Sequence, residues 1–167
     1  MNILEMNLLF ETRNQLIDEI SGLNSQTINS KPISGGWSIA QICHHLFLSE
    51  NVFTEAIVSG LKDRDYKRII QKNIYLTSDP TKKFKAPKIT LPSQDTLNPT
   101  VLLDKLFESR YLLLNVIFEQ EDRTVFLRKK AKHPLFGYLS LEQWVELLSL
   151  HEKRHIEQIK DVKLHLM

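Results

Sequence analysis

Two histidines, His151 and His155, stand four residues apart in a stretch whose apolar spacing is helical. That spacing places both imidazoles on one helix face about a turn apart, where they can grip one divalent ion. A third histidine, His45, lies on the broad apolar face of a helical stretch far upstream. Three imidazoles would leave the fourth position of a zinc tetrahedron to water or substrate, the arrangement of catalytic rather than structural zinc. Nickel, manganese or iron could occupy the same ligands, because imidazole alone does not select the metal. An open divalent ion lowers the pKa of bound water or of a bound thiol and so yields a nucleophile near neutral pH. On spacing alone a second account stands level with this one: histidines satisfied by hydrogen bonds inside a helical core.

The run His151-Glu152-Lys153-Arg154-His155 also spells H-E-x-x-H, the signature of zinc proteases. One protease class adds a third ligand six residues on, and Asp161 is of a suitable type. Gln158, however, stands where that class has a glycine turn, and an unbroken helix carries Asp161 away from the metal. No strand-rich lobe is expected that could hold a peptide, so the protease reading is set aside. Glu152 remains a candidate base beside the metal, although it sits about 100° around the helix from His151. With Lys153 and Arg154 it would otherwise form a solvated face. Gln158, a turn beyond His155, is a candidate for hydrogen bonding a ligand or bound water, or else an interior amide bonded to backbone. Cys43 and Glu50 lie off the line of His45, and His133 and His165 have no visible partners.

These residues need helices to present them. The spacing of Leu4, Leu8, Leu9, Leu16, Ile20 and Leu23 predicts a first helix over 2–23. Residues 25–36, rich in Ser, Thr and Asn with Pro32 and Gly35-Gly36, read as a loop. Ser38 and Gln41 form a capping box, with Trp37 able to staple against Ile42, and open a second helix that runs to about Gly60 and carries His45. Residues 62–98 read as a crossover with Pro80, Pro87 and Pro92, with one short amphipathic piece from Tyr66 to Tyr75 that either extends the second helix or forms a separate one. Asn98-Pro99 marks the start of a third helix ending near Glu119. Residues 121–139 read as a connection without a sheet. A second capping box, Ser140 to Gln143, with Leu139 facing Trp144, opens a fourth helix whose inward positions include His151 and His155. No internal repeat is expected. The sum is an all-α protein, a four-helix bundle with a long crossover between helices 2 and 3, and bundle cores commonly hold metal sites. The crossover can place helices 2 and 3 parallel, with helix 4 antiparallel to helix 2.

A chain of 167 residues, 42% hydrophobic and 25% charged, fits a single domain over 1–167 with a core large enough to need no disulfide. The lone Cys43 fits a reducing compartment, so a cytoplasmic location is expected. No signal peptide is read in Met1 to Glu11, and no apolar run is long enough to span a bilayer. A net charge of +2 gives no general argument for nucleic acid. The crossover is locally basic, with nine basic against three acidic residues from Lys62 to Lys88. It could recognise an anionic small molecule or serve only as a solvated loop.

Two stretches together resemble the DinB/YfiT-like family of metal-binding four-helix bundles. One is Trp37-Ser38-x-x-Gln41-x-x-x-His45-Leu46. The other is His133-Pro134-x-x-Gly137-x-Leu139-Ser140 followed by His151-x-x-x-His155-x-x-Gln158. The resemblance implies His45, His151 and His155 as ligands of a divalent metal, zinc above all. It also implies a homodimer, as is often the case in the family, acting on a small-molecule substrate; on the charge balance and the lack of a spanning run, neither nucleic acid nor a membrane is expected as partner. Family members with known activity include transferases of low-molecular-weight thiols such as bacillithiol, and others look like hydrolases. The expected function is therefore transfer of a metal-activated low-molecular-weight thiol to an electrophile. A metal-dependent hydrolase, or a non-catalytic metal-stabilised module for dimerisation or sensing, is the alternative.

Overall fold

The computed structural model describes residues 3–64, 69–78 and 84–166, without the side chains of residues 3–5 and Ser78. Four long helices dominate: α1 (Ile3–Ile20), α3 (Ile39–Lys62), α4 (Pro99–Phe118) and α6 (Leu141–Leu166). Between them lie two short helices, α2 (Ser25–Asn29) and α5 (Val125–Arg128), and two strands, β1 (Lys130–His133) and β2 (Gly137–Ser140).

The caps explain where the long helices begin. Ser38 accepts from the Gln41 backbone N–H at 3.2 Å while the Gln41 side chain accepts from the Ser38 N–H at 3.2 Å, a complete capping box. Asn98 accepts from the N–H groups of Thr100 and Val101, with Pro99 at the first helical position. At α6 the device is only half formed. The Gln143 N–H reaches Ser140 Oγ at 3.1 Å, but the Gln143 side chain turns instead to the crossover, donating to Lys72 O at 2.7 Å. Gln41 does the same at the crossover's other end, donating to Ser93 O at 3.1 Å.

Helix directions follow from who meets whom. His45, near the start of α3, meets His151 and His155 well inside α6, while Gly60, near the end of α3, meets Leu141 at the start of α6. These two helices are antiparallel. Thr12 meets Glu152 and Glu19 meets Lys163, so α1 and α6 are parallel. Phe47 lies against Lys105 and Glu50 against Arg110, so α3 and α4 are parallel as well. The crossover returns the chain from the end of α3 to the start of α4 and packs on α6 on the way. Part of it, a 3₁₀ turn at Ile74–Ser78, overlaps the expected amphipathic piece only at Ile74 and Tyr75, and residues 69–73 of that piece form no helix; Tyr66 to Arg68, and Pro80, lie outside the described residues.

Three expectations need correction. Residues 25–29 are a short helix rather than a loop, because Asn24 caps Thr27 N–H at 2.9 Å and Ile28 enters the core. Residues 121–139 hold a helical turn and an antiparallel hairpin with Lys130 opposite Ser140 and His133 opposite Gly137. The hairpin lacks β-branched residues, and what holds it is tertiary: Ala131 and Leu139 face each other into the core, and the Trp144 indole donates to Ala131 O at 3.2 Å. Its turn closes at Gly137, whose φ of +71° suits glycine.

The third correction concerns repetition. The core is two apolar clusters, one around Leu9, Ile57, Leu113 and Leu148, the other around Leu16, Ile42, Leu106 and Ile159. Among the buried polar groups is a ring of four charges, Arg13, Glu50, Arg110 and Glu152, one from each long helix. Arg13 gives Nε to Glu152, Nη2 to Glu50 and Nη1 to Leu106 O. Arg110 gives Nε to Glu50, Nη2 to Glu152 and Nη1 to Leu9 O. The bonding is unchanged when α1 is exchanged with α4 and α3 with α6. The sequence carries the same relation: Leu9-Phe10-Glu11-Thr12-Arg13 matches Leu106-Phe107-Glu108-Ser109-Arg110, and Glu50 and Glu152 each lie twelve residues past their capping serines Ser38 and Ser140. The chain thus contains a short, divergent internal repeat.

Candidate metal centre

His45 is carried by the second turn of α3 and His151 and His155 by the middle of α6, all aimed into the seam between the two antiparallel helices. His45 Nε2 and His155 Nε2 each lie 3.2 Å from His151 Nε2, and the three ligand atoms fall within 4.8 Å of one another. Three nitrogens bound tetrahedrally at 2.0–2.1 Å are about 3.3 Å apart, so the spacing suits one small divalent ion.

The other ring nitrogens fix the tautomers. His45 Nδ1–H donates to Thr90 O at 2.7 Å, and His155 Nδ1–H donates to Gln158 Oε1 at 2.8 Å. Both Nε2 atoms therefore enter the cluster as bare lone pairs. The Ser49 hydroxyl lies 3.4 Å from His45 Nε2, and His151 Nδ1 is buried without a hydrogen-bond partner among the described residues. With its proton on Nδ1, His151 would present a third lone pair beside those of His45 and His155, and three Nε2 atoms at this spacing fit one divalent metal. Backbone and amide oxygens on the outer nitrogens are the usual means of orienting histidine ligands.

Burial pushes all three imidazoles below their ordinary pKa, His155 to about 3. For His151 the neighbouring His155 and His45 add to the effect, and for His155 His45 does. The neutral, ligating form is thereby favoured. Aromatic rings wall the cluster: Trp37 is centred 4.9 Å from His45, and Phe53 stacks on His151 at 6.1 Å with Trp144 edge-on behind it. On the crossover side, Arg154 donates to Thr77 O at 2.7 Å and lies over the Phe84 ring.

The structure brings the three histidines and Gln158 together and carries Glu152 elsewhere. Glu152 is 1% exposed and belongs to the charge ring, not to a solvated face with Lys153 and Arg154. Burial alone would raise its pKa, but the Arg110 and Arg13 guanidiniums and the Thr12 hydroxyl outweigh this and hold it below the usual value. Glu50 is engaged in the same ring. Gln158 touches His155 rather than the open side of the cluster. His44 accepts from Ser93 N–H at 3.1 Å and anchors the crossover, and His133 accepts from Leu135 and Phe136 N–H in the hairpin turn. The sequence reading missed Thr90, which contributes a backbone oxygen and so leaves no trace in residue type. It also missed Arg13 and Arg110, which the five-residue repeat would have revealed.

Comparison with known proteins finds relatives and structural neighbours along nearly the whole chain. YuaE of Bacillus subtilis (strain 168) is 29% identical over 160 residues, covering 95% of this chain and 96% of that protein. A candidate metal-dependent hydrolase of Geobacillus thermodenitrificans (strain NG80-2) is 25% identical, covering 86% of this chain and 74% of its own. Among solved structures, YfiT of Bacillus subtilis, described as a probable metal-dependent hydrolase with an unusual four-helix bundle topology, superposes with a TM-score of 0.64 at 19% identity, covering 97% of this chain and 85% of its own. The four-helix bundle protein TT2238 does so with a TM-score of 0.61 at 14% identity, covering 94% and 96%. Both structures share the fold. The family profile of the DinB superfamily matches residues 8–159, nearly the whole bundle and all three histidines, and the chain belongs to that superfamily.

Proposed function

We propose that the protein is a divalent-metal enzyme that transfers a low-molecular-weight thiol to an electrophilic small molecule, with zinc on His45, His151 and His155. The observation that carries this reading is the donor set: three neutral imidazoles, with the nearby carboxylates Glu50 and Glu152 both held by arginines. Bound to such a set, a divalent ion keeps its full charge and lowers the pKa of a coordinated thiol or water. A thiol activated in this way needs no carboxylate base on the protein, whereas attack by water commonly uses one.

The chain's own residues supply the rest. Burial keeps the imidazoles unprotonated, Thr90 O and Gln158 Oε1 hold two of them in the ligating tautomer, and Trp37 and Phe53 exclude water from one side. Lys85 and Lys88, exposed just before Thr90, can recognise an acidic thiol. In the transfer the thiol loses its proton to solvent, sulfur forms a bond to the electrophilic carbon, and the leaving group departs with the electron pair. Metal-dependent hydrolysis is the second reading, favoured by the descriptions of YfiT and the Geobacillus relative.

Elemental analysis of the purified protein should find near-stoichiometric divalent metal that is lost in His155→Ala. Equal metal in both proteins, or none in either, would sink the histidine site. Thiol consumption with several low-molecular-weight thiols and a reactive electrophile, run beside ester hydrolysis, then decides between the readings. Metal-dependent loss of thiol supports transfer, and hydrolysis without thiol loss supports the second. Metal that raises stability with neither activity supports a non-catalytic module.

A further inference from the structure

The charge ring takes no part in the chemistry proposed above, yet it shares both helices with the histidines. Glu152 directly follows His151, and Glu50 lies five residues past His45. The Glu152 carboxylate accepts from Thr12 Oγ1 at 2.6 Å and Arg13 Nε at 2.8 Å, both on α1, and from Arg110 Nη2 on α4 at 2.9 Å. The Glu50 carboxylate accepts from Arg13 Nη2 on α1 at 2.6 Å, and from Ser109 Oγ and Arg110 Nε on α4, each at 2.5 Å. Both metal-bearing helices are therefore tied, at the level of the histidines, to the same two arginines.

A neutral set of four buried charges adds little stability over apolar side chains of similar volume. What it does supply is direction. Apolar packing is non-directional, whereas these carboxylates are held from two sides by groups of fixed geometry. The metal centre needs that control. With side chains about 5–6 Å from a helix axis, and metal–ligand distances tolerating about 0.2 Å, a helix rotation of about 2° already spends the tolerance.

We infer that the ring of Arg13, Glu50, Arg110 and Glu152 is a positioning device for the metal centre, setting the rotation and axial level of α3 and α6 so that His45, His151 and His155 converge. The inference rests on the metal reading of those histidines. Because each arginine binds both glutamates, sliding or turning α6 against α3 strains bonds at Arg13 and at Arg110 together. The symmetry of the ring makes this hold for either helix. Glu152 and Glu50 are thus positioning residues, acting through the histidines on their own helices.

The test is metal binding by Glu152→Gln, which keeps the side chain's shape and removes its charge. Zinc affinity is measured by competition with a chromophoric chelator, and cobalt(II) absorption reports the ligand geometry. Unfolding of the metal-free proteins is followed in parallel. The folded variant should bind zinc about 10–100-fold more weakly than the parent, with an altered cobalt spectrum. Wild-type affinity and an unchanged spectrum, with only a lower unfolding midpoint, would overturn the inference and leave the ring a purely structural element. Should Glu152→Gln not fold, Thr12→Val, which keeps all four charges and removes one bond to Glu152, is read by the same measurements, with a smaller loss expected and an unchanged affinity and spectrum again decisive against it. A parent protein that binds neither ion overturns the histidine reading itself, an outcome visible before any substitution is made.

Discussion

Cys43 sits two residues before His45 but is fully buried within the apolar cluster that lines the start of α3, and burial pushes its thiol up to about 12. In the unfolded chain the thiol would ionise near 9.0. Above that pH the unfolded state binds fewer protons than the folded one, so the contribution to stability is complete below about 9 and is lost as pH rises towards 12. At pH 8 an alkylating reagent should therefore modify Cys43 only through unfolding, about 1,000-fold or more slowly than in denaturant. Comparable rates in both conditions would show an accessible thiol. At this scale the sequence was legible where spacing along one helix decides contact: the His151 and His155 pair, and Gln158 a turn beyond. It was illegible where partners are distant. Glu152 read as part of a solvated face because Arg13 and Arg110, which hold it, lie 139 and 42 residues away.

The helices themselves are set by local signals, which is why their bounds follow from Ser38, Asn98-Pro99 and Ser140. The hairpin and α2 escaped the periodicity because four- or five-residue elements carry too little pattern and are held by tertiary contacts. Where elements meet, one small residue matters most. A Cβ at Gly60 would lie 2.6 Å from Leu141 Cδ2 and 2.7 Å from Lys130 O, so α3 approaches both the hairpin and the start of α6 only because that position has no side chain. Leu141 can turn aside, but a backbone carbonyl cannot. Gly60→Ala should therefore destabilise the protein by about 1–3 kcal/mol despite the better helix propensity of alanine, as read from urea unfolding. A gain in stability would mean that the hairpin yields freely at Lys130.

Across the whole molecule the charge ring binds all four long helices at once. Arg13→Met leaves Glu50 and Glu152 with a single guanidinium between them, and the cost should be about 3–5 kcal/mol, measured by urea denaturation. Adding Glu152→Gln to that variant restores neutrality and should recover part of the loss; a purely additive second loss would show that charge balance is not what the ring maintains. Bundle and crossover were legible from four apolar-periodic segments and a proline-rich connection. The relation between the two halves was not, because only five contiguous residues and a shared offset from the caps survive of it. The return of the chain through the crossover has a further consequence, for synthesis. His45 leaves the ribosome 106 residues ahead of His151, and Arg13 leaves 139 ahead of Glu152. At about 5–20 residues per second, His45 waits roughly 5–20 s before His151 and His155 emerge to complete the cluster. The histidine cluster and the charge ring are thus both closed late, by the same helix, and a growing chain holds neither until α6 arrives.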